Sequence, residues 1–170
     1  MSTLPLTSSQ TVGPFFAPAL LREDARRNVL TRPETAGEHI RIEGRVLDGD
    51  GVPVPDAMVE IWQADAGWGR SGTNEEGAYL LVTRKPRPLA ADDGTQQAPH
   101  FEVLVFARGL LKPVYTRMYF PDEEAANGRD PLLSTLGVAD RAALVAIPEP
   151  EGLRFDIRLQ GERQTPFFAR

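Results

Sequence analysis

Leu153, Phe155, Ile157 and Leu159 alternate with Arg154, Asp156, Arg158 and Gln160, a two-residue period that suits a strand with one wet face. Ile40, Ile42 and Val46 keep the same period against Arg41, Glu43 and Arg45. Between such segments the 170-residue chain carries 15 glycines and 15 prolines, about 18% against a usual combined share of roughly 12%. That punctuation excludes long helical bundles and coiled coils. Further strands are expected over 54–63, with Val59, Ile61 and Trp62, and over 101–108 and 114–120. Tyr79 to Thr83 is apolar on both faces and reads as a central strand.

Asp48-Gly49-Asp50-Gly51 is a turn, and Ala66 to Thr73 and Arg84 to Pro99 read as loops. A short helix is expected over Pro18 to Leu30, another at 122–127 and a third after Asp130, where Pro131 suits a first helical position. Residues 141–147 fit helix or strand equally. The whole predicts a mainly β chain: an antiparallel β-sandwich over 39–170, preceded at 1–38 by an arm and short helix, with long loops and a few short helices.

Composition narrows the function. Hydrophobic residues make up 41% and charged residues 25%, an ordinary globular balance. The net charge of −5 gives the chain no general attraction for nucleic acid or an anionic membrane. Without cysteine there is no disulfide, thiolate nucleophile or zinc–thiolate site. The opening residues lack a basic and an apolar signal region, and no run approaches a membrane span, so a cytoplasmic protein is expected.

The two histidines are His39 and His100. His100-Phe101-Glu102 sets a histidine and a carboxylate two apart on one strand face, a spacing that can bind a metal, with His39 able to complete a two-histidine, one-carboxylate triad. The same spacing also arises by chance at a strand start, with Glu102 paired to an arginine. Arg108, at the end of the most apolar strand, admits two readings. It is a carboxylate clamp at the sandwich rim, or a strand-end arginine in a salt bridge. No Ser-His-Asp order, G-x-S-x-G elbow or phosphate loop is present. The residues alone complete no catalytic constellation.

Several blocks together resemble the intradiol ring-cleavage dioxygenases. They are Ser9-Gln10-Thr11-Val12-Gly13-Pro14-Phe15-Phe16, Gly44 to Gly51 with Val59 to Asp65, and Ala98-Pro99-His100-Phe101 with Phe106-Ala107-Arg108-Gly109. Thr116 to Phe120 and Arg154 to Gly161 continue the likeness. The resemblance implies a family site of two tyrosinates and two histidines on Fe(3+). Carried over here, His100 matches the first histidine, whereas the second falls on Glu102 and one tyrosine falls near Leu89. No tyrosine stands in the shortened Ala66–Thr73 segment. Hard ferric iron, which the family's two phenolates balance, is not expected on such a remnant.

The departure matches the family's iron-free subunits, which pack on an iron-bearing beta subunit as αβ protomers. The resemblance then implies that this chain alone is inactive and holds no metal. Thr11, Gly13, Pro14 and Arg108 would line the partner's pocket, where O2 opens a small carboxylated catechol between its hydroxyls. Two other readings stand beside it: a lone metalloenzyme using His39, His100 and Glu102, and a binding sandwich without enzymatic role.

Overall fold

The computed structural model describes residues 11, 13, 16–22, 27–32, 34, 36–65, 67–90 and 94–169. Its longest strand, β1 (His39–Leu47), buries Ile42, Gly44 and Val46 and turns Arg41, Glu43 and Arg45 outward, as the alternation requires. β4 (Ala78–Arg84) runs antiparallel along one side of it, from Arg45↔Ala78 to His39↔Arg84. On the other side lie β10 (Gly152–Arg154) and β11 (Ile157–Arg158), with β9 (Ile147–Glu149) antiparallel to β10.

The second sheet is antiparallel throughout, in the order β3 (Gly67–Gly72), β2 (Met58–Gln63), β7 (His100–Phe106), β8 (Val114–Tyr119). The two sheets face one another across a shared core. Ile42, Val46 and Leu81 come from the first sheet and Val59, Phe101 and Val105 from the second. Each such side chain contributes about 1.5–3 kcal/mol when fully buried. A two-residue pair, β5 (Leu89–Ala90) with β6 (Gln96–Gln97), lies within the expected 84–99 loop.

Several expectations are corrected. The first sheet is mixed, because β10 and β11 run parallel to β1. The last strand is broken at Phe155 and Asp156, because Asp156 Oδ1 accepts the Arg45 N–H at 3.0 Å where a main-chain carbonyl would otherwise do so. Helix α1 covers only Phe16–Leu20. Further on, Leu30 N donates to Val82 O and Val82 N to Asn28 O, so residues 28–30 satisfy the outer edge of β4 instead of coiling. β4 is therefore bounded by that segment, not by a further strand.

The glycine-rich 67–72 stretch is a strand, not a loop. Side chains added at Gly69 and Gly72 would meet Leu30 Cδ1 at 2.5 Å and Leu21 Cδ1 at 2.7 Å, so the glycines receive two leucines of the N-terminal segment. Residues 138–144 form α3 (Val138–Leu144), which leads into β9. The acidic segment gives α2 (Glu124–Asn127), and a 3-10 turn at Leu133–Thr135 follows Pro131.

Candidate functional site

β7 and β8 bring the candidate ligand positions to one end of the second sheet. His100 is buried, its Nδ1 2.7 Å from the Ala98 carbonyl and its ring 5.5 Å from that of Tyr119. Burial chiefly pushes its pKa below the ordinary histidine range, and the Arg117 guanidinium pushes the same way against the Ala98 carbonyl, Asp130 and Glu102. The ring is therefore held neutral. Glu102 follows on the same face, opposite Trp62 on β2 and opposite Arg117 on β8.

The structure draws a network here that the sequence did not announce. Arg117 Nη1 donates to Gln97 Oε1 at 2.9 Å and Nε to the Tyr115 hydroxyl at 3.1 Å. The Tyr119 hydroxyl donates to Asp130 Oδ1 at 3.2 Å, and burial raises this phenol's pKa. Asp130, fully buried, also accepts the N–H groups of Ala98, Leu132 and Leu133. It caps the turn that follows Pro131 and pins the loop in front of His100. An Asp just before a Pro-led turn was the available signal. The role of Arg117 depends on the pairing of β7 with β8, which no local pattern reveals.

The remaining candidates lie apart. His39 begins β1 in the other sheet, opposite Arg84. Among the described residues no group of three or more His, Asp or Glu is placed to hold a metal, so the triad of His39, His100 and Glu102 is not assembled. Leu89 sits on β5 and offers no donor atom. The donors that remain at the degenerate positions, one imidazole and one carboxylate with a guanidinium across from them, do not fit ferric iron.

Arg108 lies just beyond the far end of β7, a strand of roughly 20 Å at about 3.3 Å per residue. Its Nε stands 2.6 Å from Asp56 Oδ2, not beside Glu102, and its side chain is 67% exposed. Thr11 is exposed and Gly13 has a φ of 69°, whereas Pro14 lies outside the described residues. Phe16, in the same N-terminal segment, is buried by this chain itself.

The outer face of the second sheet also carries residues of the 66–73 stretch, where a loop is expected. Trp68 of β3 stands opposite Trp62 of β2, both partly exposed, and the Arg70 guanidinium lies 4.7 Å from the Trp68 ring centre. Arg70 pairs with the buried Glu60, its Nε donating to Oε1 at 2.7 Å. Two large outward residues two positions apart, Trp68 and Arg70, were the signal, hidden by the glycine between them. A separate cavity of about 780 Å3, lined by Arg45, Tyr79, Arg154 and Asp156 among others, contains none of the candidate residues.

With this geometry in hand, comparison with known proteins is informative. A family model described as dioxygenase matches residues 11–95. The dioxygenase domain of a dioxygenase–carbohydrate-binding protein fusion from Streptomyces sp. SirexAA-E covers 80% of this chain and 88% of its own, at 23% identity and a TM-score of 0.58, a likeness of fold. The chain belongs to the intradiol ring-cleaving dioxygenase family, whose members are iron-dependent oxidoreductases.

Within that family, the protocatechuate 3,4-dioxygenase alpha chain of Burkholderia cepacia is 38% identical over 199 aligned residues, covering 99% of both chains. The Burkholderia cepacia beta chain is 29% identical over 192, covering 95% of this chain and 79% of its own. Among the described residues no helix is long and apolar enough to cross a membrane.

Proposed function

We propose that this chain is the alpha subunit of a protocatechuate 3,4-dioxygenase, acting in the cytoplasm with an iron-bearing beta subunit. The observation that carries the reading is the 38% identity to an alpha chain over 99% of both sequences, against 29% to a beta chain of which it covers 79%. The donor set agrees with it. Leu89 and Glu102 stand where the family pattern has a tyrosine and a histidine, so the Fe(3+) belongs to the partner and this chain supplies walls to the pocket.

Residues 1–38 serve as an arm, with Thr11, Gly13 and Pro14 lying over the partner's site and Arg108 facing the substrate carboxylate. In that pocket the bond between the two hydroxyl-bearing ring carbons of protocatechuate breaks. Both atoms of O2 enter the product, 3-carboxy-cis,cis-muconate. The protomer repeats as αβ units in a larger assembly.

The test compares the full chain alone with the chain co-expressed with a beta subunit. Iron content, the tyrosinate-to-iron visible band and O2 uptake with protocatechuate are read in both. Iron, band and uptake are expected only in the co-expressed sample. Stoichiometric iron with a tyrosinate band in the lone chain, or O2 uptake by it, overturns the reading.

A further inference from the structure

We propose that Arg117 is a built-in cation that takes a metal's place beside His100 and Glu102, and that its charge is what keeps this face of the chain closed to divalent metals. The inference rests on the reading above, in which this chain carries no iron.

Half of a metal site persists around it. Nδ1 of His100 lies 2.7 Å from the Ala98 carbonyl, the contact by which a metal-binding histidine fixes its tautomer and leaves Nε2 as the ligating atom. Glu102, a hard oxygen donor, follows two residues later on the same face.

What stands across from them is a guanidinium, in direct register with Glu102. It cannot shed its proton, so its charge is permanent. It is also held in place: Gln97 and Tyr115 accept from it, and Tyr119 beside it is tied to the fully buried Asp130. Arg117 and Tyr119 stand two apart on one face of β8, and the Tyr119 ring lies opposite His100 at 5.5 Å, so guanidinium and imidazole share one face of the sheet. A fixed positive charge in register with the Glu102 carboxylate repels any second cation brought to this face.

Removing the charge should therefore uncover a metal site. In the full-length chain, Arg117→His removes the guanidinium and sets a second imidazole opposite Glu102, whereas Arg117→Gln removes the charge and keeps hydrogen-bonding atoms. Co2+ binding is followed by equilibrium dialysis and by its visible ligand-field bands, with near-ultraviolet circular dichroism reporting the fold.

The expected result is one equivalent of Co2+ bound by Arg117→His on the order of a hundredfold more tightly than by wild type, the scale on which like-charge juxtaposition acts. Arg117→Gln should show a smaller gain, and adding His100→Ala to either should abolish it. The inference is overturned if wild type already binds Co2+ as tightly, or if neither variant gains affinity. Should Arg117→His fail to fold, Arg117→Gln alone decides. Stoichiometric iron in the wild-type chain would instead refute its assignment as the iron-free subunit, whatever the cobalt result.

Discussion

Arg108 and Asp56 face each other at 2.6 Å, joining the turn after β7 to the turn before β2. The pair leaves Glu102 out of reach and fixes the base of an arginine whose side chain is 67% exposed. An exposed pair of this kind contributes at most about 1 kcal/mol to stability. The proposed contribution to catalysis is larger, because a charge-assisted hydrogen bond to the substrate carboxylate is worth about 1.5–3 kcal/mol. In the αβ complex, Arg108→Ala is expected to leave iron content and the thermal midpoint nearly unchanged. It should lower kcat/KM for protocatechuate roughly ten- to a hundredfold. Catechols without the carboxylate should be little affected. Equal losses on both substrates with a lower midpoint would show that the arginine acts only through Asp56.

The arm gives a second expectation. Gly13 holds a φ of 69°, and an added side chain there would meet nothing within 4 Å. Any penalty for replacing it is therefore conformational, about 1–2 kcal/mol for an L-residue, and less for asparagine, which visits this region more readily. Gly13→Ala should raise KM for protocatechuate in the complex without moving the thermal midpoint of the chain. Gly13→Asn should fall between it and wild type. A KM unchanged in both would remove the arm from the pocket.

The pair of Glu60 and Arg70 makes a test of stability independent of function. Both side chains are largely sheltered, and Arg70 also lies over Trp68 and reaches the Leu20 carbonyl. Removing one member strands the other away from water, which costs about 3–5 kcal/mol for a fully buried pair. Glu60→Ala should approach the lower end of that range in urea unfolding. A double mutant with Arg70→Leu should recover part of the loss, since the stranded charge is gone. Additive losses would mean that Arg70 is held by Trp68 and Leu20 alone.

How much of this could be read from the sequence follows from where each signal lives. β1 and β7 were legible because their period of two coincides with burial on one face: Ile42 and Val46 in β1, Phe101, Val103 and Val105 in β7. β3 was not, because its glycines carry no such period. They make room for Leu21 and Leu30, and that meaning appears only once the N-terminal segment is laid beside them. The break between β10 and β11 was equally hidden. It depends on Asp156 reaching Arg45, 111 positions earlier. At the candidate site, the expectation of missing ligands at Leu89 and Glu102 rests on the family pattern alone, not on strand period or spacing. The partners of Arg108 and Arg117 are settled by turn geometry and strand register, which a linear motif does not encode.

His100 should leave a mark on the pH dependence of folding. Burial, reinforced by Arg117, lowers its pKa in the folded chain below the value of about 6.5 that an unfolded histidine shows. The unfolded state therefore binds the proton first. Stability is complete above about pH 6.5, declines as pH falls below it, and stops declining on this account once pH passes below the lowered folded value. Most carboxylates titrate near pH 4, so the upper part of this window belongs to histidine. Urea midpoints measured between about pH 7.5 and about pH 5 should fall in wild type and stay flatter in His100→Gln. In Arg117→Gln the decline should be shallower than in wild type, because the guanidinium no longer opposes protonation of the ring. Parallel slopes in wild type and His100→Gln would show that the buried imidazole is protonated as readily in the folded chain as in the unfolded one.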